Sequence, residues 1–336
     1  MSSDRDRQAS GDRRAATAAR LRDIIEREGE TIGTNTRTVN QLSSFAIQQF
    51  DSYEELRSAA RDIKEEAIEN LPALIDRVEA AVEANGGEVH IAQSAADTNR
   101  IVEEIMDRKD AETLAKSKSM TTEEISVNDH LEAAGYEVIE TDLGEYVIQL
   151  ADETPSHLIG PAMHKSTGEI ADLFNDRFDL TGEDALGEDP FELTDFAREK
   201  VGEHLRRADV GMTGANFIVA ETGTLMLVTN EGNARKTAAA TDTHIAVAGI
   251  EKLVPTLADL QPFTELIARS GTGQDITSYI SLMTPPVETP IPDFEADSFR
   301  PAEEREFHLI LLDNGRMAMR EDDQLRETLY CIRCGA

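Results

Sequence analysis

The chain has 336 residues, 40% of them hydrophobic, enough for one large domain or two modest ones around a sizeable core. It carries 66 acidic against 33 basic side chains, a net charge of −33, and such a field repels DNA, RNA and anionic lipid. No apolar run reaches the roughly 18 residues of a membrane span, and well-patterned apolar positions exclude wholesale disorder.

In chain order, residues 1–86 read as an N-terminal helical segment whose first 20 residues are disordered or weakly helical. MSSDRDRQASGDRRAATAAR has no apolar core for a secretory signal, and Asp4, Asp6 and Asp12 argue against a transit peptide. The expected location is the cytoplasm, where thiols stay reduced. Asp51-Ser52 with Glu55 suggests a capping box. Leu56, Ala60, Ile63, Ala67, Leu71, Leu74, Val78 and Val82 then form an amphipathic stripe, restarted at Pro72 and ended by Asn85-Gly86-Gly87.

From residue 87 to 284 strands and helices alternate, which predicts an α/β domain, an open mixed sheet with helices on both faces. Predicted strands are 88–92, 113–117, 136–140, 146–150, 158–162, 209–213, 217–220, 225–229, 244–248 and 278–283. Predicted helices are 97–108, 121–134, 166–178, 189–207 and 256–269. Thr222-Gly223 between two apolar strands reads as a hairpin turn. Residues 285–306, with five prolines, read as an extended arm. Residues 307–336 close the chain with a strand, an Asp313-Asn314-Gly315 turn and a short helix.

The acidic surplus spreads over every segment, lysines are few and Trp is absent. This fits adaptation to high salt, where a Debye length of about 3 Å at 1 M screens self-repulsion.

Walker A, G-x-G-x-x-G, G-x-S-x-G and H-E-x-x-H signatures are all missing. His157 and His164 are close in sequence but read as locally bonded. Three stretches carry chemistry. The first is AKSKSM, where Lys116, Ser117 and Lys118 end a strand ahead of a capped helix, a pattern suited to a small anion. The second runs from Gly211 to Lys236. Thr213, Gly214 and Asn216 follow one strand, and Asn230, Glu231, Gly232, Asn233 and Arg235 follow another. In open α/β sheets such strand ends line ligand crevices. Glu221, beside Thr222 and Gly223, sits between apolar strands, where a carboxylate is costly unless bonded or used. The third is the tail, LYCIRCGA. Cys331 and Cys334, the only cysteines, could be a redox dithiol, half a zinc site or half an iron–sulfur site.

These stretches, with ETDLGEYVIQLA (140–151), PSHLIGPAMHKS (155–166), HIAVAGIEKLVPTLADL (244–260), ARSGTGQDITSYIS (268–281) and FHLILLDNGR (307–316), resemble in order the B-type lactate-utilisation proteins. These are iron–sulfur electron-transfer subunits of a three-part L-lactate oxidation system. The resemblance implies a LUD domain, with a fold similar to CoA-transferases and ribose-phosphate isomerase. It also implies [4Fe–4S] clusters in the complete protein, sister subunits as partners, and transfer of electrons from lactate oxidised to pyruvate. In that family the tail continues as a ferredoxin run, C-x2-C-x2-C-x3-C-P. Cys331 and Cys334 would then be the first two cluster ligands, the chain would stop at the start of that module, and these two alone would hold no stable cluster. The similarity to CoA-transferases leaves a second expectation, a stand-alone ligand-binding or acyl-transfer domain with Glu221 as nucleophile.

Overall fold

The computed structural model describes residues 18–19, 22, 25–26, 29–30, 33–38, 40–153, 155, 160–274 and 279–332. Most of the stretch expected to be disordered, 1–17, lies outside them, as does part of the strand expected at 158–162. The chain divides into two compact units, residues 1–42 with 143–198, and residues 43–142 with 199–336.

The larger unit holds a six-stranded sheet in the order β1-β12-β7-β4-β2-β3, every neighbouring pair parallel. Its strands are β1 (Glu88–Ala92), β2 (Thr113–Lys116), β3 (Glu137–Glu140), β4 (Val210–Thr213), β7 (Thr243–Gly249) and β12 (Glu306–Leu312). Such strands are buried on both faces, so they read as continuous apolar runs: IAVA in β7 and LILL in β12. Alternate residues divide the core. Ile245, Val247, Ile310 and Leu312 pack with Ile101, Val102, Ile105 and Leu131 from helices α3 (Ala95–Arg108) and α5 (Val127–Ala134). Ala246, Ala248, Leu309 and Leu311 face Leu71, Leu74, Val78 and Val82 of α2 (Leu71–Ala84), together with Ile218 and Leu225 of a second sheet.

That second sheet has the order β8-β5-β6-β9, with β5 (Phe217–Val219), β6 (Thr224–Thr229), β8 (Leu253–Val254) and β9 (Tyr279–Met283). The mixed pairing expected from sequence lies here. β5 and β6 form the antiparallel hairpin, and Gly223 supplies its left-handed residue at φ 69°. Helices α1 (Tyr53–Glu69) and α10 (Gln261–Thr272) cover its far face through Ala60, Phe263, Leu266 and Ile267.

Three expectations change on this frame. The helices over 53–69 and 71–84 are core elements of this unit, while residues 1–42 group with the smaller one. The arm at 285–306 contains a hairpin of β10 (Ile291–Asp293) and β11 (Ser298–Arg300). The helix expected over 121–134 is two. α4 (Met120–Glu124), capped by Ser119, breaks before α5 at Ser126, whose φ is 50°.

The regular elements described in the smaller unit are helical, among them α6 (Leu143–Ala151), α7 (Thr167–Arg177) and the start of α8 (Pro190–Arg207). Tyr146–Leu150 was expected as a strand from its run of Tyr, Val and Ile, but it lies in α6. The spacing of Leu143, Tyr146, Val147 and Leu150 is helical, and that period prevails over β propensity. Phe174, Phe178 and Phe196 interlock, with ring centroids 5.1 to 6.4 Å apart.

Candidate functional site

The carboxyl ends of the parallel strands are the place to look for a ligand site in such a sheet. Here they carry a continuous network of charged side chains. β2 ends at Lys116 and β3 at Glu140, and the two residues are in register. Lys116 is fully buried. Its Nζ lies 2.7 Å from Glu140, 3.0 Å from Glu123 and 3.2 Å from the Thr122 hydroxyl. Burial alone would lower the amine, but the two carboxylates outweigh it and hold the ammonium charged. Asn128 donates to Glu140 at 2.7 Å.

α4 links this cluster to a second one. Glu123 reaches Lys116, while the next residue, Glu124, accepts from Arg316 at 2.7 Å and Asn314 at 2.6 Å. Arg316 also meets Glu251 at 2.5 Å, just past the carboxyl end of β7. Lys64 of α1 is buried and donates to the Glu251 backbone carbonyl. Burial, helped by nearby Lys252, lowers Lys64 to about 7 against the pull of Glu251 and Cys331.

The anion cradle expected at AKSKSM therefore changes character. The Lys116 charge is already met by protein carboxylates, and α4 has only five residues. Ser117 is buried, its N–H bonded to the Met212 carbonyl at 2.9 Å, and Lys118 is half-buried. Thr213 and Gly214 do come to the same edge. A Cβ on Gly214 would lie 2.5 Å from Ser119 Oγ, so β2 and β4 end in close contact. Thr213 Oγ1 is 2.9 Å from Nε2 of buried His244.

The other candidate residues lie apart. Asn216 Oδ1 accepts the Val228 N–H at 2.7 Å, bracing β5 against β6. Glu221 is not buried: its side chain is 48% exposed and 3.4 Å from Arg77. The desolvation argument for a nucleophile thus does not hold, because the hairpin turn carries Glu221 beyond the apolar strands. Asn85 donates to the Thr222 carbonyl at 2.9 Å, and Gly223 packs on Val82. This ties the turn to the end of α2, which leads into the amino end of β1, opposite the edge where Lys116 sits. Asn230 and Glu231 are exposed, and Gly232 at φ 71° leads into α9 (Asn233–Ala240). Within α9, Asn233 is half-buried, and the Arg235 guanidinium stacks on Tyr279 at 5.1 Å. His164 is bonded to Glu153 at 2.8 Å, while His157 lies outside the described residues.

At the tail, Leu329 is buried, Tyr330 lies under the Arg61 guanidinium at 5.6 Å, and Ile332 packs against the α1 side of the second sheet. Arg61 also pairs with Glu327 at 2.6 Å. The chain leading to Cys331 is thus docked on α1 while Cys331 itself is exposed. Cys334 lies outside the described residues. A [4Fe–4S] cluster takes four thiolates, so the two in this chain make at most half of its ligand set.

Sequence reasoning missed Glu123, Glu124, Glu140, Glu251, Arg316 and Lys64. Each looks like an ordinary polar position. The one available signal was Lys64, which falls beside Ile63 in an otherwise apolar stripe.

The LUD domain family model matches residues 75–312, from within α2 to the last residue of β12. Lactate utilization protein B of Shouchella clausii is 43% identical over 292 residues, 87% of this chain and 58% of its own length. Lactate utilization protein B of Bacillus thuringiensis is 39% identical over 291 residues, with the same two coverages. The chain therefore spans little more than half the length of these relatives. The crystal structure of a DUF162 family protein from Deinococcus radiodurans aligns with 72% of this chain and 98% of its own, at 12% identity and a TM-score of 0.38. Because the family model takes in every strand of the parallel sheet, this chain belongs to the LUD-domain family.

Proposed function

We propose that this chain is the LUD part of an iron–sulfur electron-transfer protein serving the oxidation of L-lactate to pyruvate. The observation that carries the reading is 43% identity, over 87% of the chain, to a lactate utilization protein B. Two features support it. The C-x2-C spacing of Cys331 and Cys334 matches the first two positions of a ferredoxin-type run, and Leu329 and Ile332 pack on the fold beside exposed Cys331. The carboxyl-edge network supports a scaffold rather than a reaction centre. Its buried cations are all engaged by protein acceptors, and no described cysteine or serine stands activated beside a base there.

In the complete protein the clusters would supply one-electron transfer. Cys331 and Cys334 would be the first two of four thiolates on one cluster, and sister subunits would deliver and accept the electrons. A small anionic ligand of the LUD domain would be held by groups other than Lys116, whose charge Glu140 and Glu123 already meet.

Deletion of the gene in its source organism tests the reading. Growth on L-lactate as sole carbon source should be lost, and growth on pyruvate kept. The whole gene should restore lactate growth, while whole genes carrying Cys331→Ser or Cys334→Ser should not. Unimpaired lactate growth of the deletion strain would remove the proposal.

A further inference from the structure

At the amino end of the parallel sheet, away from both the charged network and the tail, three potential ligands converge. β1 and β12 are parallel neighbours with Glu88 in register with His308. Residues two apart on a strand share a face, so Glu88, His90 and His308 project to the same side of the sheet. His90 Nε2 lies 3.3 Å from His308 Nδ1, His308 Nδ1 lies 3.3 Å from Glu88 Oε2, and His90 Nε2 lies 3.7 Å from Glu88 Oε1.

We propose that Glu88, His90 and His308 form a binding site for a divalent first-row transition ion of the zinc class. The argument is geometric. Metal–ligand bonds of about 2.0–2.1 Å at tetrahedral angles place neighbouring donor atoms roughly 3.3 Å apart. The two imidazole nitrogens already stand at such an edge length, Glu88 brings one oxygen to 3.3 Å of His308 and the other to 3.7 Å of His90, and one donor atom from each residue lies within 4.8 Å of the other two. Glu88, with a half-exposed side chain that also lies 3.6 Å from Arg108, leaves a path for the ion. Two imidazoles with one carboxylate favour zinc, cobalt or nickel over magnesium or calcium, which prefer all-oxygen shells.

The surroundings supply an outer shell. His308 Nε2 is 3.1 Å from Arg108 Nη2 and 3.7 Å from Glu306 Oε2. With Nδ1 on the ion, Nε2 carries the ring proton. It can then no longer accept from Arg108 and turns instead to Glu306. That is the carboxylate–histidine–metal relation by which ligand tautomers are fixed. Lys109 holds Glu306 in place at 3.0 Å. Arg108 opposes the ion by charge, and Glu88 and Glu306 offset it.

The test uses the full chain with Cys331→Ser and Cys334→Ser, so that the tail thiols take no part. After chelator treatment it is titrated with CoCl2 and ZnCl2, with visible absorption and calorimetry as readouts. The expected result is one equivalent of cobalt with ligand-field bands and no thiolate charge-transfer band. Affinity should fall at least about tenfold when either His90→Gln or Glu88→Gln is added; the second lies on the surface and leaves the core intact. Cobalt uptake by the cysteine-containing chain alone, or affinity unchanged within about twofold in both added variants, overturns the proposal, and the three side chains are then only a hydrogen-bonded cluster.

Discussion

Lys116 and Lys64 are two buried lysines whose charges meet opposite surroundings. Lys116 faces Glu140 and Glu123, so removing it leaves the buried Glu140 carboxylate without a cation and half-buried Glu123 beside it. Lys116→Met should cost about 3–5 kcal/mol, and adding Glu140→Gln should recover part of that loss, as denaturant midpoints would show. Equal destabilisation by the single and double variants would mean that the ion cluster is not the cause. Lys64 is buried with only a carbonyl to accept from it, and that burial, with Lys252 close by, lowers its folded value to about 7 from 10.5. Between those values the unfolded chain binds the extra proton. Stability from this group therefore rises as pH climbs from 7 towards 10 and is lost as pH falls back. Lys64→Met should flatten that rise in urea midpoints, and an unchanged slope would assign it to other groups. Lys116 stood out in AKSKSM, but the partners of these lysines were not legible in the sequence. Lys64, Glu124, Glu251 and Arg316 are far apart along the chain and meet only because the sheet order places their strand ends side by side.

The legible elements were those whose local pattern and tertiary role agree. β4, β7 and β12 are apolar runs bounded by turn residues, and the parallel sheet buries them on both faces; β6 is a similar run in the second sheet. Thr222-Gly223 announced its hairpin because a left-handed residue is needed there. α6 was misread because YVI favours a strand locally, and its buried residues, Glu145 to Ile148, are consecutive, so burial gives no clear helical period. A close approach hidden from the sequence is that of α9 to β4. A Cβ on Gly211 would lie 2.5 Å from the Thr237 carbonyl oxygen and 2.6 Å from Thr241 Oγ1. Gly211→Ala should therefore destabilise by about 1–3 kcal/mol, read from thermal or denaturant unfolding. A neutral result would mean that α9 shifts freely on the sheet.

For the whole chain, the α/β class was legible from alternation, but its division was not. Residues 143–198 look like a continuation of the strand–helix pattern, yet they belong to a helical unit inserted between β3 and β4. No helix among the described residues is long and apolar enough to cross a membrane. The charge of −33 bears on solvent rather than on fold. If it reflects life in high salt, the unfolding midpoint should rise steadily from about 0.1 M to about 1 M KCl, as the screening length shrinks from about 10 Å to about 3 Å. A flat or falling midpoint would contradict that reading.

The central claim is that Cys331 and Cys334 begin a cluster site on a LUD scaffold. The most direct measurement is electron paramagnetic resonance of the whole gene product, purified without oxygen together with its sister subunits and reduced with L-lactate. The account predicts a reduced [4Fe–4S] signal that appears with lactate and is diminished in both Cys331→Ser and Cys334→Ser. A lactate-dependent signal of full intensity in those variants, or no cluster signal in the unaltered complex, would contradict it.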